Sequence, residues 1–205
     1  SEIDILTCLY LRPIMNYDPA NPKWPDRDRF ILSKGHGAPG LYPVLAKAGF
    51  FDPELLGTLR SIGSALEGHP NMRLLSALEA STGSLGQGLS VGIGHALAAK
   101  IDKKDYHVYV MTGDGELQQG QIWEATMSAA SLGLDNLTAI IDYNKYQQTD
   151  AVEHVMPSMF PLPEKWEKFG WHVEQIDGHD IEKILATFEK LETIKDKPKL
   201  IVANK

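Results

Sequence analysis

Gly113-Asp114-Gly115-Glu116 closes the apolar run Val108-Tyr109-Val110-Met111, and Asp142-Tyr143-Asn144 closes a second run, Leu137-Thr138-Ala139-Ile140-Ile141. Short apolar runs bounded in this way are buried strands. The segment between them, Ile122-Trp123-Glu124-Ala125-Thr126-Met127-Ser128-Ala129-Ala130-Ser131-Leu132, has helical periodicity and stops at Gly133. A strand–helix–strand unit of this kind requires a parallel sheet. It puts Asp114 and Asn144 on adjacent strand ends, at the carboxyl edge where open α/β sheets bind ligands. Asp114 is expected to face solvent there. Two hard oxygen donors, flanked by glycines that let backbone N–H groups approach an anion, suit a Mg²⁺ ion that bridges to a diphosphate. One carboxylate, one amide oxygen, one backbone carbonyl and two phosphate oxygens would supply most of the octahedral shell this ion demands.

The same alternation runs through the rest of the chain. Arg29-Phe30-Ile31-Leu32, Trp171-His172-Val173-Glu174-Gln175-Ile176 and Lys199-Leu200-Ile201-Val202-Ala203 are predicted strands. Helices are predicted near the N-terminus and over residues 40–48, 52–60, 85–100 and 181–194. The 52–60 helix opens on Asp52 as cap with Pro53 at the first helical position. The predicted class is therefore α/β, a mostly parallel, doubly wound sheet with helices on both faces. Gly86, Gly88, Gly92 and Gly94 fall along the 85–100 helix. Each costs about 1 kcal/mol relative to alanine, so close packing on another backbone or on a cofactor must offset them.

A chain of 205 residues with 43% hydrophobic content sustains one well-buried domain, and no Pro/Gly-rich linker divides residues 1–205. The Pro-rich stretch from Asp18 to Pro25 is an ordered loop between the first helix and first strand. A net charge of −7 argues against nucleic acid or an anionic membrane as the main partner. Any anionic substrate must then draw positive charge from a metal ion or a partner chain. Cys8 is the single cysteine, so no internal disulfide forms, and its apolar neighbours mark it as a packed thiol. No apolar run reaches the roughly 18 residues needed to span a bilayer, and no signal segment opens the chain. A soluble, cytoplasmic protein is expected.

Ser33-Lys34-Gly35-His36-Gly37, Glu67-Gly68-His69-Pro70, Ser81-Thr82-Gly83-Ser84-Leu85-Gly86-Gln87-Gly88 and the segment from Gly113 to Glu124 occur in the order and rough spacing of transketolases. Over essentially its whole length the chain resembles the diphosphate-binding half of a transketolase, and in particular the N-terminal subunit of split transketolases. That resemblance implies the thiamine diphosphate-binding fold and two-carbon ketol transfer from a ketose or ketose phosphate to an aldose acceptor. The cofactors it implies are thiamine diphosphate and Mg²⁺, for which Ca²⁺ or Mn²⁺ could substitute. Asp114, Asn144 and the carbonyl of Tyr146 match the metal ligands. His36, Gly83, Ser84, Leu85, Asp114, Gly115, Glu116, Asn144 and Tyr146 match the cofactor-binding positions. Leu85 would prop the thiazolium, and Gly115 would donate its N–H to the diphosphate. His36 and His69 match the histidines that line the substrate channel, placed to hydrogen-bond an oxyanion or relay a proton. His95, His107, His154, His172 and His179 match no such position and have no zinc-ligand spacing.

The family draws the glutamate that meets the aminopyrimidine ring from a pyrimidine-binding domain, which this chain lacks. The resemblance therefore implies a C-terminal partner subunit, an assembly of two copies of each chain, and no turnover by this chain alone. It also implies that the domain is trimmed at both ends, since family members carry an upstream Gly/His-containing segment and continue into a downstream loop. Three positions depart from the family pattern. Ser84 stands where proline is frequent, Gln119 replaces a glutamate of a carboxylate network that retains Glu124, and Tyr143 replaces the first of two asparagines. The rival enzyme is deoxyxylulose-phosphate synthase, which shares the fold and metal motif but not the histidine-bearing segments. The rival from another class is a non-catalytic scaffold subunit.

Overall fold

The computed structural model describes residues 2–205. Helix α1 (Ile3–Leu11) leads to strand β1 (Arg29–Leu32), α2 (Ala38–Lys47), α3 (Gln87–Asp102), β2 (Val108–Gly113), α4 (Gly120–Ser131) and β3 (Leu137–Tyr143). Two short helices, α5 (Val152–Val155) and α6 (Leu162–Lys168), precede β4 (His172–Asp177), α7 (Ile181–Glu192) and β5 (Lys199–Asn204). The strands form one parallel sheet in the order β1-β2-β3-β5-β4.

Alternation along the strands builds two cores. Val108 and Val110 of β2 join Leu89, Ile122, Ala139, Ile141, Leu200 and Val202 beneath α3, α4 and α6. Tyr109 and Met111 join Leu9, Leu45, Ile140, Phe188 and Ile201 beneath α1, α2 and α7. The handedness rule accounts for the place of α7. Steps from β1 through β2 and β3 to β4 run one way across the sheet, whereas β4 to β5 steps back, so a right-handed crossover puts α7 on the opposite face.

Two of the four α3 glycines are required by contact with side chains of the sheet and the loop that follows β1. A Cβ at Gly88 would lie 2.4 Å from Ser33 Cβ, and one at Gly92 would lie 2.4 Å from Val110 Cγ2. Gly86 has φ +87°, so the helix begins at Gln87 and not at residue 85. The segment 52–60 forms only a 3₁₀ stretch, Pro53–Thr58, capped by Asp52 as expected. None of its residues is buried, so no packed face extends it into an α-helix. The sequence reading passed over α5 and α6, where Pro157, Pro161 and Pro163 obscure the helical period. Leu162 and Trp166 nevertheless share one buried face of α6. Trp166 packs edge-on against Trp171, with ring centroids 4.8 Å apart. Cys8 is buried as expected. Among the described residues no helix is long and apolar enough to cross a membrane.

Candidate functional site at the carboxyl edge of the sheet

Gly113 at the end of β2 pairs in register with Asp142 of β3, so Asp114 and Asn144 emerge from neighbouring strand ends. Asp114 differs from expectation in one respect: it is 3% exposed and does not face solvent. Its Oδ1 accepts from Gly115 N–H at 2.8 Å, and its Oδ2 accepts from Lys145 N–H at 2.6 Å. The carboxylate thus ties the β2 loop to the β3 loop. Burial raises its pKa, the two backbone donors oppose that rise, and the Asp142 charge adds to it. Asn144 Oδ1 accepts from Tyr146 N–H at 2.8 Å, an Asx turn made possible by Lys145 at φ +70°. Tyr146 is exposed, bridges antiparallel to Ala151, and its carbonyl accepts no hydrogen bond from the described residues.

Around these groups the loops touch backbone to backbone. A Cβ at Gly35 would lie 2.7 Å from Thr82 C and 2.8 Å from Gly83 N, and Thr82 Oγ1 donates to the Leu32 carbonyl at 2.7 Å. His36 lies in the 3₁₀ turn Gly35–Gly37 and is exposed. His69 is exposed with its ring over Gly83, whose Cβ position is 3.1 Å from His69 Cδ2. Tyr42 Oη donates to the carbonyls of Glu67 at 2.9 Å and His69 at 3.2 Å, which fixes that loop on α2. Neither imidazole makes a side-chain hydrogen bond within the described residues, so both rings are available to a ligand. Ser84 is exposed and Leu85 half-buried beside them.

Two of the expected cofactor contacts have protein partners in this structure. Gly115 N–H, expected to meet a diphosphate, is engaged by Asp114 in this structure. Glu116, expected among the cofactor contacts, lies beneath the loops. Its Oε1 accepts from Ser33 Oγ at 2.5 Å and Gly86 N–H at 2.8 Å, and its Oε2 from Gly113 N–H at 3.1 Å. A buried carboxylate saturated by protein donors holds its neighbours and offers little to a ligand.

A buried triad escaped the sequence reading altogether. Lys34 Nζ lies 2.5 Å from Glu2 Oε2 and 2.5 Å from Asp142 Oδ2. Burial lowers the lysine pKa, but the two carboxylates outweigh it and leave it raised. The stem of Lys34 also lies 3.4 Å from where a Gly113 side chain would start, so the triad underpins the β2 end. Its signal was a charged residue inside a glycine-rich motif, without a partner that sequence alone could supply. Three of the remaining histidines make side-chain hydrogen bonds, and His154 Nδ1 lies 3.5 Å from Asp150 Oδ1. His107 bonds Thr138 Oγ1 at 2.8 Å, His172 bonds Glu174 at 2.6 Å, and His179 bonds Asp4 at 2.8 Å.

A model of the transketolase thiamine diphosphate binding domain matches residues 2–205. The chain belongs to the transketolase family. It is 46% identical to the 6-deoxy-6-sulfo-D-fructose transketolase subunit SqwG of Clostridium sp., over 100% of this chain and 74% of that one. It is 44% identical to an apulose-4-phosphate transketolase subunit of Phocaeicola vulgatus, over 100% of this chain and 72% of that one. Human transketolase is 41% identical over 99% of this chain but only 32% of its own length. Among solved structures, transketolase from Leishmania mexicana superposes with a TM-score of 0.91 at 31% identity, covering 98% of this chain and 31% of that one. The chain is thus the diphosphate-binding part of a thiamine diphosphate-dependent transketolase, and the sheet is that of the family.

The residues at the carboxyl edge fit the cofactor's anionic end. The oxygens there, one buried carboxylate, one amide and one unengaged backbone carbonyl, would make a set suited to Mg²⁺ or Ca²⁺ and poor for zinc. Among the described residues no group of three His, Cys, Asp or Glu side chains could hold a metal.

Proposed function

We propose that Asp114, Asn144 and the Tyr146 carbonyl hold a Mg²⁺ ion through which this chain grips the diphosphate of its cofactor. The observation that carries this reading is the arrival of Asp114 and Asn144 on neighbouring strand ends, with the Tyr146 carbonyl unengaged two residues beyond. Gly115 N–H becomes available to a phosphate oxygen when Asp114 Oδ1 turns to the metal. Gly83, Ser84 and Leu85 line the approach to the ring end, with Leu85 as the apolar prop. When bound, thiamine diphosphate supplies an acidic thiazolium carbon that carries the two-carbon unit between sugars. His36 and His69, with exposed and unengaged rings, would hydrogen-bond an oxyanion on the sugar or carry its proton.

The pyrimidine end and most sugar contacts belong to a separate C-terminal subunit in this reading, in a two-plus-two assembly. Support comes from relatives named as subunits, of which this chain spans about three quarters, against about a third of single-chain transketolases. A second support lies on α3, where Gln87, Val91, Gly94 and Ile101 form one exposed stripe at helical spacing, and a Cβ at Gly94 would meet nothing within 4 Å. A second copy would cover it. Donors are ketoses or ketose phosphates, in keeping with relatives named for 6-deoxy-6-sulfo-D-fructose and for apulose-4-phosphate. Calorimetric titration of the assembled enzyme with thiamine diphosphate and Mg²⁺ tests the metal assignment. Asp114→Asn should abolish Mg²⁺-dependent binding, and undiminished affinity would overturn it.

A further inference from the structure

Four donors that belong to three separate loops converge on one pair of side chains. Glu116 Oε1 takes Ser33 Oγ–H at 2.5 Å and Gly86 N–H at 2.8 Å, and Oε2 takes Gly113 N–H at 3.1 Å. Ser33 Oγ in turn accepts from Gly88 N–H at 3.1 Å. Both side chains are buried, and Glu116 makes no ion pair among the described residues. An unpaired buried carboxylate is costly unless donors replace its water. Here the replacement comes from the Ser33 hydroxyl, the Gly113 N–H and the N–H of Gly86, the residue that caps α3, a 16-residue helix whose N-terminal dipole favours an anion.

A helix N-terminus beside a phosphate-binding loop is ordinarily where the phosphate sits. In this chain the protein sets its own carboxylate against the cap residue and a serine hydroxyl against the first-turn N–H of Gly88. We infer that Glu116 is a positioning residue: its carboxylate, bonded to the cap of α3 and to the serine that takes the Gly88 N–H, locks the metal loop at Gly113, the histidine loop at Ser33 and the thiazolium segment at Gly86 in one mutual geometry. The cofactor diphosphate is thereby held off α3 and left to the metal and the Gly115 N–H. One anchor then sets the spacing between Asp114 and Leu85, the residues assigned above to opposite ends of the cofactor. The inference rests on that assignment.

The test uses the enzyme assembled with its partner subunit and measures thiamine diphosphate affinity at saturating Mg²⁺, kcat at saturating cofactor, and thermal midpoint. Glu116→Gln keeps the shape but sets an amide N–H against a donor. It should raise the cofactor Kd by about tenfold or more and lower kcat even at saturating cofactor. Ser33→Ala, a milder change that keeps the carboxylate, should move both quantities the same way by less, and the double variant should fall short of the sum. Amide exchange at Gly86 and Gly113 should accelerate in Glu116→Gln. A lowered thermal midpoint with unchanged Kd and kcat would overturn the inference and leave Glu116 as structural glue. If Glu116→Gln fails to assemble, unchanged Kd and kcat in Ser33→Ala would overturn it. Asp114→Asn, run in parallel, separates the two levels. Lost affinity there with none lost at Glu116 or Ser33 overturns this inference alone, whereas retained affinity there overturns the metal reading and this inference with it.

Discussion

Lys34→Met removes an ammonium that lies 2.5 Å from each of two carboxylates while keeping the length and apolar stem of the side chain. Lys34 and Glu2 are each 6% exposed and Asp142 is fully buried, so water cannot replace the lost partner. At an effective dielectric of about 20, attraction across 2.5 Å is roughly 7 kcal/mol per pair before desolvation is subtracted. The net figure is smaller, because the ammonium and both carboxylates gave up hydration to meet. Removal of one member from a buried ion pair costs about 3–5 kcal/mol, and that is the expected loss here. With a urea slope of about 1–3 kcal/mol/M, the unfolding midpoint should fall by about 1–5 M with the slope unchanged. The pH dependence has a definite sign. The folded pKa of Lys34 lies above the ordinary lysine value of 10.5, so the stabilisation is fully present below that pH and is lost as pH rises through the raised value. Urea unfolding at pH 7 and at strongly alkaline pH checks both points. A loss below about 1 kcal/mol at pH 7 would refute the claim that this triad is dry and coupled.

His69→Ala should lower kcat by about a hundredfold with little change in cofactor affinity, and His36→Ala should weaken both; steady-state kinetics of the assembled enzyme decide. A His69 variant with reduced thermal stability but unchanged kcat would make His69 a packing residue only. His107, at the opposite edge, has its pKa pushed down to about 3, first by burial and then by the Lys199 charge. It stays neutral in the folded chain while the unfolded chain takes up a proton near pH 6.5. Stability should therefore fall as pH drops from about 6.5 toward 3, by up to about 1.4 kcal/mol per pH unit from this residue. Urea midpoints between pH 7 and 5 should fall less steeply in His107→Gln, and identical slopes would remove this cause.

The α/β class, all five strands and the pairing of Asp114 with Asn144 were legible because each rests on local pattern. Apolar runs of about four to seven residues ending in glycine or in an Asx group announce strand ends, and β2 and β3 follow that rule directly. What stayed hidden depends on residues far apart in the chain. Ser33 meets Glu116 and Lys34 meets Asp142 only after the sheet has formed, so nothing near either residue marks it as paired. Asp114 looked solvent-facing because a strand end usually is. The folded loop turns Lys145 N–H back over it, a contact set by a left-handed lysine that sequence does not advertise. Residues 152–168 failed for a different reason, since three prolines interrupt the spacing that Leu162 and Trp166 otherwise display.

Central to the function proposed for this chain is that it supplies the metal and diphosphate half of a transketolase site that a second subunit must complete. Exchange of the cofactor C2 proton for deuterium, followed by NMR with Mg²⁺ present, measures this most directly. The chain alone should show exchange at the background rate of the free cofactor, and addition of the pyrimidine-binding subunit should raise it well above that rate and restore ketol transfer. Robust exchange or ketol transfer by the purified chain alone would contradict it.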